Sequence, residues 1–239
     1  MAKTMSYNKH SDNIEQQATE LIKSILPNTV NNIRTIELDK IYKSYSYVYF
    51  IHYFTNRIEL KLFVDNRYLN ASLSFYKEAY ISMLLGQKSA YILLLRSSLE
   101  NFVKYLLSYY DLTIDPTRFK QNVHTLRSSG KISSNLITEV DSFIALYRDY
   151  SGLSHSIINR NINLISYLES GTKGTEQSFL ACLEQLKKVS QKYGYFLIDV
   201  CKSSLKIWDT HDLKTMLSIT YPDSQVSKIT DSLKSTFVE

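Results

Sequence analysis

Residues 90–110, AYILLLRSSLENFVKYLLSYY, predict a buried helix around which an all-α fold is organised. Apolar side chains surround most of this helix, which is typical of a helix covered by neighbours on several sides. The apolar surface is formed by Ile92, Leu93, Leu94, Leu95, Leu99, Phe102, Val103, Leu106 and Leu107. We therefore expect the other helices of the domain to pack against it.

One arc of this helix is polar. Arg96, Glu100 and Lys104 recur every four residues, with Ser97 and Asn101 beside them. At 100° per residue these side chains form a stripe roughly 140° wide. Such a stripe of alternating charge either faces solvent or contacts a polar site on a neighbouring helix.

The composition favours long helices with short connections. The chain of 239 residues has six glycines and three prolines, whereas average usage would supply about 17 and 12. Cys182 and Cys201 fall on one predicted helix, roughly 28 Å apart, which is too far for a disulfide. We expect them to be core thiols in a reducing compartment. The polar N-terminus and the absence of an apolar run of about eighteen residues predict a cytoplasmic protein with no membrane partner.

Helices are also predicted on both sides of the buried one. Segment 11–26 has helical periodicity and ends before Pro27, and segment 67–85 is a helix closed by Gly86. Segment 35–64 is favoured as helix, although 58–64 alternates as a strand would. Its dense aromatic residues could stack on single-stranded bases, but a core or an oligomer interface is the favoured interpretation. His52, among them, is interpreted as a packed histidine.

The downstream sequence continues the helical pattern. A helix begins near Ser133 or Ser134, and a long one spans 175–206. Two short helices follow, the first capped by Thr210 and the second after Pro222. The chain is therefore expected to comprise an N-terminal helical extension (1–66), a helical bundle (67–207) and a C-terminal helical appendage (208–239).

The segment 146–155, LYRDYSGLSH, carries the residues best suited to chemistry on a phosphodiester. Arg148 offers a cation for phosphate oxygens, and His155 offers a base at neutral pH. Spacing alone is weak evidence, because roughly half a match to this spacing is expected by chance. A second match, Arg118 with His124, is rejected because Phe119 follows the arginine and the segment has the composition of a loop.

The arrangement of Arg148, the polar Asp149 after it, and His155 resembles the Arg-x4-6-His motif of the HEPN superfamily. These are helical domains, many of them RNA-cutting toxins and defence effectors. The helix at 90–110 and the hairpin before it also resemble that superfamily, so the similarity covers roughly 67–205. The resemblance implies that Arg96 and Glu100 face the motif and support it. It also implies a homodimer that joins two motifs, and an antitoxin or sensor protein as a possible partner.

The apolar pattern changes phase between Tyr147 and Ile157, which predicts a helix break near Ser151 and Gly152. Ser154 would cap the new helix. Such a break would let Arg148 and His155 approach one phosphate, and a position in the first helical turn would favour the neutral imidazole. Ser151 and Ser154 are therefore candidate supporting residues.

Positive charge is concentrated between residues 116 and 138, although the whole chain carries only +5. A one-sided basic segment is a candidate surface for phosphate groups, and its alternative is a solvated connecting loop. The candidate RNA-binding residues are Arg118, Lys120, Arg127, Lys131 and Arg160.

The sequence thus predicts a metal-independent endoribonuclease whose products carry a 2′,3′-cyclic phosphate. His155 would be the base, Arg148 would stabilise the phosphate, and Asp149 would support them. No zinc-ligand pattern, Walker loop or dinucleotide-binding motif occurs, so no metal or cofactor is expected. By the resemblance, the protein would be a toxin or antiphage effector. The alternative is a non-catalytic helical module that binds a nucleotide, nucleic acid or partner protein.

Overall fold

The computed structural model describes the backbone of residues 2–25, 35–156 and 176–234, and the side chains of 10–24, 38–151 and 179–234. Every regular element in these ranges is helical, which confirms the all-α prediction. Short 3₁₀ turns occupy Ile58–Leu60 and Ser134–Leu136. The α-helices are α1 Ala2–Ile25, α2 Thr35–Thr55, α3 Lys61–Val64, α4 Arg67–Leu84, α5 Lys88–Tyr109, α6 Phe119–Ser128, α7 Ile137–Ser156, α8 Glu176–Val200, α9 Lys202–Leu205, α10 Thr210–Leu217 and α11 Asp223–Lys234.

The chain forms two compact units. The central unit comprises residues 61–184, and the terminal unit comprises 1–60 together with 185–239. This division differs from the expected extension, bundle and appendage, because the two ends of the chain pack with each other. Within the described ranges, none of the helices has both the length and the apolarity needed to cross a bilayer.

The hairpin of α4 and α5 is the core of the central unit. Gly86 closes α4 at a φ of 70°, as its position in the sequence predicts. Further along, Ser72 and Ser98 each donate a hydrogen bond of 2.9 Å to the other's carbonyl oxygen, so two small side chains bring the helices close together. The apolar residues of α5 are mostly buried as predicted, but Leu93 is 49% exposed.

The segment before α7 is not a loop, so the loop interpretation of residues 119–128 is wrong. Phe119, Val123 and Leu126 are buried along one side of α6. Polar and basic residues occupy the other positions of α6, so its apolar face is narrow. A helix of ten residues with so few apolar positions is difficult to recognise from the sequence. Arg118 lies at its N-cap position.

The predicted break near Ser151 and Gly152 is also wrong. Helix α7 runs without interruption from Ile137 to Ser156. Glycine costs a helix about 1 kcal/mol relative to alanine, and tertiary packing can exceed that cost. Val140, Phe143 and Tyr150 of α7, which precede Gly152, are each at most 1% exposed, so packing stabilises the helix up to the glycine.

Aromatic side chains of α2 form much of the core of the terminal unit. Tyr47, Phe50 and Phe54 are buried, in agreement with the favoured core interpretation. His52, however, is exposed on the other side of α2, where its ring nitrogen lies 2.9 Å from the Asn56 amide nitrogen. The prediction of a packed histidine is therefore wrong.

The remaining helices of the terminal unit differ from expectation mainly at their ends. α1 begins nine residues earlier than expected, and α8 ends at Val200. Asp209, not Thr210, caps α10 by accepting hydrogen bonds from the backbone of His211 and Asp212. A carboxylate accepts two such bonds more readily than a hydroxyl does.

Both cysteines are buried free thiols, as predicted. Cys182 lies on α8, and Cys201 lies in the turn between α8 and α9. Burial raises the pKa of both thiols, that of Cys201 to about 12. A high pKa leaves little nucleophilic thiolate at neutral pH, so their role is packing.

Candidate functional site

The candidate site in the central unit is organised around Tyr147, the residue before Arg148. The ring of Tyr147 stacks on Phe119 with centroids 4.1 Å apart and an interplanar angle of 18°. Arg96 lies over the same ring at 4.8 Å and donates a 2.7 Å hydrogen bond from Nη2 to the Tyr147 hydroxyl. This group of Phe119, Tyr147 and Arg96, the Tyr147 stack, joins α5, α6 and α7.

Neither aromatic residue of the Tyr147 stack is distinguished as functional by the sequence. Tyr147 fits the apolar periodicity of α7, and Phe119 is the residue that weakens the second motif match. The sequence did contain one indication of these two residues, since each of them is directly next to an arginine. Recognising the pair requires knowing that α6 is a helix packed beside α7.

The polar stripe of α5 lies against its neighbours and does not face solvent alone. The Arg96 Nε and the Glu100 carboxylate form an ion pair of 3.3 Å, and the two side chains are 28% and 31% exposed. Lys104 donates a 3.1 Å hydrogen bond to the Pro116 carbonyl before α6. Arg96 contacts the motif helix through Tyr147, Glu100 is linked to it through Arg96, and among the described residues neither forms a hydrogen bond or ion pair with Arg148.

Arg148 and Asp149 are both exposed on α7. Among the residues that the structure describes, no side chain forms an ion pair or hydrogen bond with Arg148. Ser151, the next predicted supporting residue, is partly buried. An exposed guanidinium without an internal partner is able to bind an anion from solution.

The other predicted motif residues cannot be placed in the site by their side chains. Those of Ser154 and His155, and the whole of Arg160, lie outside the described residues. The backbone of α7 does constrain His155. In an unbroken helix, residues seven positions apart lie on nearly the same side. Each residue adds about 1.5 Å along the axis, so the α-carbons of Arg148 and His155 are about 10.5 Å apart in that direction.

The fold partly neutralises the predicted basic surface. Arg118 pairs with Asp115 at 2.7 Å, and Arg127 pairs with Asp141 at 3.3 Å. Lys131 donates a 2.6 Å hydrogen bond to the Tyr110 carbonyl. Lys120 is exposed, and no described residue hydrogen-bonds to it. Asp141 belongs to α7, so counting charges along the segment alone overlooked it.

A buried amide fixes the start of α6. Asn122, which is 2% exposed, accepts a hydrogen bond from the Asp115 backbone N–H and donates one to the Asp115 carbonyl, each of 2.8 Å. The Asp115 carboxylate accepts hydrogen bonds from the backbone of Thr117 and Arg118, which lower its pKa. These bonds position Phe119 for its stack on Tyr147.

No three histidine, cysteine, aspartate or glutamate side chains among the described residues are grouped so as to hold a metal ion. The rejected second match lies at the start of α6, where Arg118 is ion-paired and His124 is exposed. This second match therefore lies on a helix, which the sequence did not predict.

Comparison of the chain with family models, with curated proteins and with solved structures returned no match.

Proposed function

We propose that this protein is a metal-independent endoribonuclease in which Arg148 binds the scissile phosphate and His155 acts as the base. The observation that carries the proposal is the state of Arg148. Its guanidinium is exposed, has no internal partner among the described residues, and follows Tyr147, which two neighbouring helices hold in place. An exposed guanidinium without an internal partner can bind a phosphate through two parallel hydrogen bonds, and ordering its side chain is part of the free-energy cost of binding.

The proposed reaction is a transesterification within RNA. The His155 imidazole takes the proton of a ribose 2′-hydroxyl, the 2′-oxygen forms a bond to the adjacent phosphorus, and the bond from phosphorus to the 5′-oxygen breaks. Arg148 stabilises the negative charge on the phosphate oxygens. The leaving 5′-oxygen gains a proton, so the products are a 2′,3′-cyclic phosphate and a 5′-hydroxyl.

Two copies of the chain form the proposed site. An acid is needed for the leaving oxygen, and a second His155 supplies it without any further residue. The unbroken α7 strengthens this argument, because Arg148 and His155 of one chain are two helical turns apart. An isologous interface beside α7 presents both residues twice. Growth arrest as a toxin or antiphage effector, controlled by an antitoxin or sensor protein, is the proposed setting.

The first test is cleavage of labelled RNA in the presence of EDTA. We expect Arg148→Ala and His155→Ala each to reduce the rate by about 10²–10⁴, the usual contribution of such groups. Arg67→Ala is the matched control, since Arg67 is exposed on α4 and hydrogen-bonds to its neighbour Tyr68. Undiminished cleavage by both folded motif variants would contradict the proposal, and loss of wild-type cleavage in EDTA would contradict the metal-free reaction.

The second test concerns the dimer. We expect light scattering to give twice the mass of one 27.8 kDa chain and the specific activity to fall on dilution. Heterodimers of coexpressed Arg148→Ala and His155→Ala chains contain a single His155 and therefore lack the acid, so they should stay nearly as inactive as either variant alone. A monomer that cuts RNA with the same specific activity at every dilution is incompatible with a two-chain site.

A non-catalytic RNA-binding module is the second candidate. It is favoured by the same unbroken α7, which keeps the two motif residues of one chain about two helical turns apart. Retarded migration of RNA that stays intact in the assay above would support this candidate over the nuclease.

A further inference from the structure

The terminal unit contains a cavity of about 520 Å³ that has no part in the proposed nuclease. Residues from α2, from α8 and from the segment joining α10 to α11 line it. We propose that this cavity binds a small phosphorylated molecule of about the size of a nucleotide. Its volume falls in the range of about 300–1,000 Å³ that is usual for small-molecule sites.

The residues that line the cavity are suited to an anion. Lys43 and Lys187 supply positive charge from two different helices, and none of the lining residues is acidic. The amides of Gln191 and Gln225 and the hydroxyl of Thr220 offer further hydrogen-bond donors. The Ser46 and Ser218 hydroxyls, which also line the cavity, donate to the carbonyls of Lys43 and Thr215. Lysine binds phosphate as a point charge, and hydroxyl and amide groups can complete the coordination of its oxygens.

A buried hydroxyl supports the proposal independently of charge. Thr220 lines the cavity and is 8% exposed, and its side-chain oxygen has no hydrogen-bond partner among the described residues. A buried hydroxyl is normally hydrogen-bonded, because leaving it unsatisfied is unfavourable. Its oxygen is inaccessible to solvent in this structure, so a ligand in the cavity would satisfy it only after the Thr220 side chain turns towards the cavity.

The cavity wall is held in place by packing and hydrogen bonds. Tyr221 donates a 2.8 Å hydrogen bond to the Gln191 carbonyl, and its ring packs edge-on against Phe50. Ser190 of α8 donates a 3.1 Å hydrogen bond to the Tyr47 carbonyl of α2. These contacts join the elements that form the cavity, so a ligand would meet a largely preformed site.

A second cavity of about 200 Å³ gives the ligand an orientation. Ser46, Ser218 and Ile219 line both cavities, so the two adjoin. The smaller one also contains His10 and Glu15, and its carboxylate disfavours a phosphate there. We therefore place the phosphate in the larger cavity, beside Lys43 and Lys187, with room for an organic part towards the smaller one.

Calorimetric titration of the full chain tests this site with four probes: ATP, AMP, ribose 5-phosphate and inorganic phosphate. We expect at least one of the three organic phosphates to bind saturably with 1:1 stoichiometry and to raise the Tm. Lys43→Gln and Lys187→Gln should each weaken that binding about tenfold or more, since a hydrogen bond to a charged group is lost. Thr220→Val, which keeps the side-chain shape, should weaken it less.

Lys228→Gln is the matched control, because Lys228 is exposed on α11 and does not line the cavity. Its affinity should equal that of the wild type. Absence of binding by all three organic phosphates, or binding that both lining lysine variants retain, would overturn the proposal. Equal affinity for inorganic phosphate and ribose 5-phosphate would overturn the assignment of a larger ligand. None of these outcomes depends on RNA cleavage.

Discussion

Two regions of this protein carry basic residues, and they differ in the groups that surround those cations in the fold. Around α6 the cations lie within one short segment of the sequence. Arg118 and Arg127 are nevertheless paired with carboxylates, and Lys131 hydrogen-bonds to a carbonyl group. In the terminal unit, Lys43 and Lys187 are far apart in sequence, yet they line one cavity without a carboxylate. Charge density along a sequence is therefore a poor guide to anion binding unless the fold around each cation is known.

The largest effect on stability is expected at the start of α6. Asn122→Ala removes both hydrogen bonds to Asp115 and leaves two partly buried backbone groups of Asp115 without this partner. We expect a loss of about 2–3 kcal/mol in the free energy of unfolding, measured with urea. His124→Ala, at an exposed position of the same helix, should change it by less than about 0.5 kcal/mol.

Equal unfolding free energies for the two α6 variants would mean that Asn122 does not hold this segment. In that case the pairing of Arg118 would not be fixed by the fold. The contrast between the two basic regions would then lose its structural basis.

The wall of the terminal cavity gives the next largest effect. A Cβ atom at Gly194 would lie 2.1 Å from the Tyr221 hydroxyl and 3.0 Å from the Phe50 ring. Overpacking costs about 1–3 kcal/mol, and alanine returns about 1 kcal/mol through its helix propensity. We expect Gly194→Ala to lower the free energy of unfolding by up to about 2 kcal/mol in thermal or urea denaturation.

Tyr221→Phe provides the control for that prediction. It removes the hydroxyl that the new Cβ would meet, so Gly194→Ala should cost less in the Tyr221→Phe background than in the wild type. Additive effects of the two substitutions would contradict the steric explanation.

Predictions that depend on residues close together in sequence were confirmed, and those that depend on contacts between elements were wrong. Gly86 was predicted correctly because a left-handed turn after a helix is a local requirement. The burial of most of α5 was predictable for a related reason, since its apolar residues surround the helix whatever its neighbours are.

The wrong predictions concern features that distant residues determine. α6 has a narrow apolar face, and its start depends on the pairing of Asn122 with Asp115. The part of α7 before Gly152 is stabilised by side chains such as Tyr150 that are buried against other helices. The Tyr147 stack unites three helices, and no periodicity within any one of them indicates it.

Asp115→Asn tests whether ion pairing limits the basic surface around α6. Asparagine retains an oxygen that can accept hydrogen bonds from the backbone N–H groups of Thr117 and Arg118, so the turn before α6 should be kept. Arg118 loses its charged partner. We expect affinity for single-stranded RNA, measured by fluorescence anisotropy at low salt, to rise about two- to fivefold. The slope of log affinity against log salt should steepen by about 0.7.

Unchanged affinity and slope would place Arg118 outside the RNA surface. Arg127 offers a parallel test, since Asp141→Asn removes its carboxylate partner in the same way.

The Asp115 carboxylate should also affect the stability of the folded state at low pH. Backbone N–H groups of Thr117 and Arg118 lower the pKa of Asp115 below its ordinary value of 3.8. The ionised form therefore stabilises the folded state above pH 3.8, and this contribution is lost as the pH falls towards the lower folded pKa. Below about pH 4, thermal denaturation should show a smaller decrease in Tm for Asp115→Asn than for the wild type.

The smallest change in stability is expected at Glu100, where the effect on catalysis is the informative one. Glu100 forms its ion pair with Arg96 at 3.3 Å, and both side chains are partly exposed. Such a pair contributes about 0–1 kcal/mol after solvent screening, so Glu100→Gln should leave the Tm nearly unchanged. If the proposed nuclease is correct, kcat should fall severalfold at unchanged KM, because Arg96 is less well held against Tyr147.

A double-mutant cycle decides whether this effect passes through the Tyr147 stack. Tyr147→Phe keeps the ring on Phe119 but removes the oxygen that accepts the 2.7 Å bond from Arg96. If Glu100 acts by orienting Arg96 towards that oxygen, its loss should matter little once the oxygen is gone, and the two effects on kcat will not multiply. Effects that multiply fully would show that Glu100 acts by another route, and the stack would then be a packing feature of α5, α6 and α7.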